Sequence, residues 1–143
     1  MSYAFKYTKD KGISTQAEYP YKAIDQTCKP TTGNKFKISG YTDVPANSAA
    51  QLKAAIAKQP VAVAVQADQP AFRSYKSDVI TISCGANLNH GVLTIGYETS
   101  ETPDYKVKNS WEASWDDNGY VRIGINDGAG VCGIHKVSNY LNA

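Results

Sequence analysis

The 143-residue sequence lacks the patterns typical of membrane-spanning, nucleic-acid-binding and metal-binding proteins. It contains no apolar run of about 18 residues, so no transmembrane span is predicted. It has no cluster of lysine and arginine and a formal net charge of only +2, which argues against a nucleic-acid partner. Two histidines and three cysteines show no spacing typical of metal ligands. We therefore predict neither a metal nor any other cofactor.

The cysteine count is low and odd, at three. In a secreted protein an odd number indicates a free thiol or a bond to a partner outside the chain; three reduced thiols in a cytosolic protein are the alternative. None resembles a catalytic nucleophile, because a reactive thiolate needs a helix N-terminus or a similar device. Cys28, for example, follows a turn-like stretch and precedes Lys29 and Pro30. Residues 1–11 are too polar for a signal peptide.

The apolar pattern predicts two helices and several short strands. One helix covers 2–11 and ends at Gly12. A second begins with the capping box of Ser48 and Gln51 and continues to about Lys58, burying one apolar face; that face comprises Leu52, Ala55 and Ile56. The predicted strands cover 35–44, 61–65, 92–97, 104–109 and 119–124, with 137–141 as a candidate last strand. Short strands separated by turns predict a small antiparallel barrel.

The most informative residues are His90 and Asn109. His90 precedes the apolar run 92–97 and so stands at the entrance of a buried strand. A second strand leads to Asn109, and if the two strands pair, the amide reaches the imidazole. Trp111 would then shield this contact from water. An orienting amide beside a base generalises the catalytic triad; the alternatives are a structural histidine and an asparagine that caps a turn.

The sequence around these residues resembles the papain family of cysteine peptidases. The resemblance rests on Asn89-His90-Gly91, on Lys108-Asn109-Ser110-Trp111 with Trp115 and Gly119-Tyr120, and on landmarks along most of the chain; these are Tyr19-Pro20-Tyr21 with Cys28, Gln59 to Val63, Phe72 to Ser77 and Gly130 to Ile134. The family's nucleophile lies in a CGSC-W signature, which the histidine spacing places roughly 40–60 residues before Met1.

The resemblance implies an α+β, papain-like fold, mainly the right-hand antiparallel β-barrel domain. Residues 1–34 would be a remnant of the helical left-hand domain and the crossover loop, and 35–143 the barrel that carries His90 and Asn109. The chain would be the C-terminal two thirds of the catalytic domain. Its partners would be a polypeptide substrate or an N-terminal peptidase chain that completes the site. The compartment would be lysosomal, vacuolar or extracellular.

The resemblance also implies individual roles. His90 is the general base and acid, and Asn109 orients it. The other implied substrate-binding residues are Ala64, Leu88, Asn89, Gly91, Trp111, Trp115 and Val137. Small and aliphatic residues among them favour a bulky apolar side chain before the scissile residue, although Ala64 and Leu88 also fit a plain core. Cys84 would bridge Cys132, and Cys28 would bridge a cysteine outside the chain. His135 has no evident partner and is predicted to lie on the surface.

The chain departs from the family at four positions where glycine is usual, namely Asp78, Glu98, Glu112 and Asp116. If those glycines supply positive φ, each replacement costs about 1–2 kcal/mol, against a total stability of about 5–15 kcal/mol. Glu112 would also place a carboxylate beside the His90–Asn109 pair. The alternative to a peptidase is therefore a catalytically silent homologue that acts as a binding or structural module.

Overall fold

The computed structural model describes residues 1–29, 33–82, 84–115 and 117–142. Its elements confirm the α+β class: over these ranges, three helices accompany a seven-stranded mixed sheet. The helices are α1 (Ser2–Lys11), α2 (Ala49–Ile56) and α3 (Pro70–Arg73), with a 3-10 turn at Val131–Gly133. The strands are β1 (Gly40–Asp43), β2 (Val61–Val65), β3 (Val79–Ile80), β4 (His90–Glu98), β5 (Asp104–Lys108), β6 (Tyr120–Gly124) and β7 (Ser138–Asn142).

The strand order in the sheet is β1-β7-β2-β4-β5-β6-β3. The pairs of β2 with β4 and β7, of β4 with β5 and of β5 with β6 are antiparallel. The two-residue strand β3 runs parallel to β6. The sequence therefore predicted the central strands, whereas it missed β3, which is too short for an alternating pattern to be read.

Helix α2 forms as its capping signal predicts. The Ser48 hydroxyl accepts a hydrogen bond from the Gln51 N–H at 3.3 Å, which satisfies one of the unpaired donors of the first turn. The buried side chains of the helix are Leu52, Ala55 and Ile56, as predicted. Pro60 then leads into β2, whose alternate valines are fully buried. This helix and strand anchor the core beneath the candidate site.

The strand predicted over 35–44 is shorter than expected. Regular pairing is confined to β1 at Gly40–Asp43, while Phe36 makes an isolated bridge to Ile13 and stays 61% exposed. A strand needs a continuous ladder on at least one side, and the single bridge at Phe36 supplies two hydrogen bonds, both to Ile13. The alternating pattern was real, but its first half lacks continuous pairing.

The chain divides into two compact units. The larger unit consists of Met1 and Thr42–Tyr140, and the smaller unit of Ser2–Tyr41 and Leu141–Ala143. The smaller unit contains α1, none of whose residues is buried, and Phe5 stacks on Tyr41 within it. The larger unit contains His90, Asn109 and nearly all of the core. No helix within the described ranges is long and apolar enough to cross a membrane.

Candidate active site

Strand pairing in the larger unit brings His90 and Asn109 together. His90 is the first residue of β4 and pairs with Val65, the last residue of β2. Asn109 directly follows β5, whose terminal Lys108 pairs with Leu93 of β4. The start of β4 and the end of β5 thus meet at one edge of the sheet, because the two strands are antiparallel. A separation of 19 residues in sequence becomes a side-chain contact.

The two side chains share a hydrogen bond of 2.8 Å between His90 Nε2 and Asn109 Oδ1. The Ser110 N–H donates to the same oxygen at 2.8 Å, which identifies this amide atom as the acceptor. Nε2 must therefore carry the hydrogen that it donates, and Nδ1 keeps the lone pair. The arrangement fixes the ring and leaves Nδ1 as the nitrogen that can take up a proton.

Aromatic rings enclose this pair. The Trp111 ring lies 5.1 Å from the His90 ring, and Phe72 approaches both, at 5.5 Å from Trp111 and 6.2 Å from His90. Asn109 is only 8% exposed, so its hydrogen bond to His90 is largely protected from water. Trp115 stacks on Phe72 behind them. The sequence identified Phe72 only as the start of a family landmark, and its contact with the histidine was missed.

A cleft of about 330 Å³ opens beside His90. Its lining residues are Ala67, Asp68, Arg73, Asn89, His90 and Trp111. Of these, sequence reasoning identified Asn89, His90 and Trp111 and missed the other three. The sequence shows that Asp68 and Arg73 follow strand β2, on the segment that leads into and through α3. It does not show that this segment packs against the start of β4.

The Asn89 side chain has a structural partner as well as a place in this cleft. Its Oδ1 accepts the Ala67 N–H at 2.9 Å, and the backbone N–H of Asn89 donates to Val65 O at 3.1 Å. These bonds fix the residue before His90 to the end of β2. Asn89 therefore helps to hold the start of β4 in register and fixes this part of the cleft wall.

The remaining predicted substrate-binding residues lie around the β2–β4 pair. Ala64 pairs with Gly91, and the Ala64 N–H donates to Val137 O at 3.0 Å. Leu88 is half-buried; a Cβ built on Gly133 would lie 2.9 Å from its Cδ2. The sequence did not anticipate Met1, whose Sδ lies 3.7 Å from where a Cβ on Gly91 would be. The structure thus places Met1 and Val137 beside Ala64 of β2 and Gly91 of β4.

The cysteines divide into a pair and a single thiol. Cys84 and Cys132 form a disulfide with a Cα–Cα distance of 4.7 Å, and both are buried. Cys28 is free and exposed in the smaller unit. In the part of the chain that the structure describes, no group of three or more His, Cys, Asp and Glu side chains comes together as a metal site.

Two of the four acids at family glycine positions adopt the backbone that favours glycine. Asp78 has φ of 65° and Glu112 has φ of 71°. Glu98 ends β4 and is not among the positive-φ residues, while Asp116 lies outside the described residues. Positive φ brings Cβ close to the following carbonyl in an L-residue. The expected strain is therefore present at Asp78 and Glu112 and absent at Glu98.

His135 was predicted to lie on the surface, and this is wrong. It is 2% exposed, with Nδ1 3.0 Å from Gly128 O and Nε2 2.9 Å from the Tyr105 hydroxyl. A carbonyl only accepts, so Nδ1 carries the hydrogen and Nε2 accepts from Tyr105. Burial lowers the pKa of His135 and raises that of the Tyr105 phenol well above its usual range. Both groups are therefore neutral.

Comparison with known proteins gives a consistent result. The model described as papain family cysteine protease matches residues 1–141. A senescence-specific cysteine protease of rice is 42% identical over 148 residues, covering 100% of this chain and 44% of the relative. The chain thus spans less than half the length of this curated relative.

Solved structures give the same picture. The proform of the ragweed pollen cysteine protease Amb a 11 superposes with a TM-score of 0.94 at 33% identity, covering 99% of this chain and 40% of that one. Bromelain from Ananas comosus, solved in complex with the E64 inhibitor, gives 0.88 at 38% identity, covering 99% and 68%.

Proposed function

Because the chain belongs to the papain family of cysteine proteases, we propose that it supplies the histidine–asparagine part of a papain-like endopeptidase site. The reaction is peptide-bond hydrolysis through a thiolate acyl-enzyme. The nucleophilic cysteine and the oxyanion-hole glutamine lie outside these 143 residues, so the chain by itself is inactive. His90 is the general base and acid, and Asn109 is the residue that orients it.

The hydrogen bond from His90 Nε2 to Asn109 Oδ1, at 2.8 Å, carries this proposal. It holds the tautomer in which Nδ1 accepts a proton from a thiol, leaving a thiolate–imidazolium pair. The thiolate attacks the scissile carbonyl, and the imidazolium then protonates the leaving amine as the C–N bond breaks. Water, deprotonated by the same nitrogen, hydrolyses the thioester. Every proton thus moves through Nδ1.

The cysteines of the chain support an external nucleophile. Cys84 and Cys132 are consumed by their disulfide and carry no thiol. Cys28 is exposed, and the described residues around it, 20–29, form neither helix nor strand, whereas reactive cysteines are often found at a helix N-terminus. We propose that Cys28 instead forms a disulfide with a cysteine outside the chain.

We also propose a division into two domains. Residues 1–34 belong with a helical domain, and residues 35–143 form the barrel domain.

The residues around β2 and β4 suggest the acyl side of the substrate. Ala64, Gly91, Leu88 and Val137 would accept a bulky apolar side chain before the scissile residue, since none of them carries a charge or a large ring. Trp111 and Trp115 would shield the catalytic hydrogen bond and flank the leaving side. The partners are then a polypeptide substrate and an N-terminal peptidase segment, in a lysosomal or vacuolar compartment or outside the cell.

Labelling with the epoxide inhibitor E64 tests the proposal, since bromelain has been solved in complex with it. The chain is mixed with the N-terminal segment of a relative that supplies the cysteine and glutamine, and covalent modification is followed by mass spectrometry. We expect labelling at that cysteine. His90→Ala should lower its rate by about 10²–10⁴-fold, and Asn109→Ala by about 10–10²-fold through misorientation.

Asn126→Ala, at an exposed asparagine, is the matched control and should label like the unmodified chain. Folding of each variant is checked by circular dichroism. A folded complex that is not labelled, or one labelled equally well without His90, would contradict the proposal.

A second candidate is a catalytically silent homologue that serves as a binding or structural module. The observation that favours it is the positive φ at Asp78 and Glu112, because a strained acid at a glycine position is expected where turnover is no longer selected. The same labelling experiment separates the two candidates, since a silent module does not react with the epoxide even when complemented.

A further inference from the structure

The cleft beside His90 carries information about the substrate. Its volume of about 330 Å³ is at the lower end of the usual range for ligand sites, which suits one or two residues of a peptide. Two charged side chains line it, Asp68 and Arg73. Their different surroundings decide which of the two is available to a ligand.

Asp68 already has its hydrogen bonds. Its Oδ1 accepts from Gln66 Nε2 at 2.9 Å and from Gln69 Nε2 at 3.1 Å. These bonds, with a further one from Asn89, lower the pKa of Asp68. Gln66 is buried, and its Oε1 accepts the Asn87 N–H at 2.8 Å. The carboxylate is thus an anion whose Oδ1 already accepts from two amides.

Arg73 is the opposite case. Its backbone is fixed at the end of α3, where its N–H donates to Gln69 O at 2.9 Å. Its side chain is exposed, and within the described ranges it forms no salt bridge, the one ion pair found there being that of Arg122 with Asp104. A guanidinium presents five donors in a planar fork that matches a carboxylate. The cleft therefore offers a guanidinium that is not held in a salt bridge within the described ranges.

We propose that Arg73 is a specificity-determining residue that favours a carboxylate on the leaving side of the peptide. This rests on the proposed function: when His90 protonates the leaving amine, that amine is beside the imidazole, and the residues attached to it enter the cleft that His90 shares with Arg73. The carboxylate has two sources, an acidic side chain in the leaving peptide or the free C-terminus of a short one.

The test uses the chain itself and the products that would leave it. Dipeptide amides Asp-Ala, Asn-Ala and Lys-Ala, together with Asn-Ala bearing a free C-terminal carboxylate, are titrated while the His90 imidazole signals are followed by NMR. We expect Asp-Ala amide to bind about threefold to fivefold more tightly than Asn-Ala amide, and Lys-Ala amide most weakly. Added salt should reduce the difference. Tighter binding of the Asn-Ala acid would identify the C-terminal source.

Variants assign the preference to the guanidinium. Arg73→Gln should abolish the difference between Asp-Ala and Asn-Ala, while Arg73→Lys, which keeps the charge without the fork, should retain part of it. Lys76→Gln removes an exposed cation that does not line the cleft and should leave the preference unchanged.

Equal binding of Asp-Ala and Asn-Ala, tighter binding of Lys-Ala, or no change at His90 with any peptide would overturn the inference. Epoxide labelling does not require Arg73. Intact labelling without a charge preference would therefore overturn only the inference, and a charge preference without labelling only the proposed function.

Discussion

Acid should destabilise the larger unit through His135, and His135→Gln should remove that sensitivity. The imidazole is 2% exposed and joins Gly128 O to the Tyr105 hydroxyl. Protonating Nε2 would bury a positive charge and remove the acceptor of the Tyr105 hydrogen bond. Gly130 increases the cost, because a Cβ there would lie 2.9 Å from the His135 ring, so the loop has little space in which to admit water.

The sign follows from linkage. Burial lowers the pKa of His135 from its usual value of 6.5, so the unfolded chain binds a proton before the folded one does. Above about pH 6.5 both states are neutral, and His135 contributes no pH dependence. As the pH falls below that value, the free energy of unfolding decreases by up to about 1.4 kcal/mol per pH unit. The decrease stops once the folded state is protonated as well.

The assay is urea unfolding followed by tryptophan fluorescence and circular dichroism, from about pH 7.5 to about pH 5, where the imidazole of an unfolded chain titrates. Near neutral pH, His135→Gln should cost about 1–2 kcal/mol, since a buried hydrogen bond is altered. Its unfolding free energy should then fall less steeply with acid. Tyr105→Phe should cost about 1–3 kcal/mol by leaving Nε2 unpaired and should keep the slope.

The comparison of slopes cancels the other titrating groups, which the variants share. If the unmodified chain and His135→Gln lose stability in parallel as the pH falls, His135 does not titrate between the two states and the reasoning is refuted. The reasoning would also be refuted if only the unmodified chain lost unfolding free energy and did so only above pH 6.5.

Two further predictions concern single residues. Asp78→Gly and Glu112→Gly should each raise the free energy of unfolding in urea by about 1 kcal/mol, because both positions have positive φ. Glu98→Gly, at the end of β4, is the control and should lower it by about 0.5–1 kcal/mol. An increase at Glu98 would contradict the argument. Cys28 should carry a second peptide through a disulfide in native material, seen as a mass that falls on reduction, and a bare-chain mass would contradict the proposed partner.

Local rules in the sequence were enough for much of the fold. The capping box of α2, the alternating valines of β2 and the strand that leads to Asn109 each depend on neighbours within a few residues, and each was predicted. The same rules failed over 35–44, where the pattern was adequate but regular pairing is confined to Gly40–Asp43. Pattern alone cannot say whether another strand is available.

The candidate catalytic pair could be named from the sequence because the spacing and flanking residues of His90 and Asn109 resemble a known family. Their hydrogen bond, its direction and the ring of Trp111 above it depend on how β4 and β5 pair. The same is true of Arg73: its local sequence predicts nothing about the cleft that its side chain lines.

The sequence by itself determined the family, the main helices and strands, and which residues are the candidates for the proton-transfer group and for its orienting partner. Only the tertiary structure decided that His135 is buried and that Asp78 and Glu112 have positive φ. It also decided that the Asp68 carboxylate accepts two hydrogen bonds while the Arg73 guanidinium forms no salt bridge within the described ranges. The physical reason is that burial, hydrogen-bond satisfaction and long-range contacts are properties of segments brought together by the sheet. Tyr105 lies 30 residues from His135 in the chain, and no local pattern records that they touch.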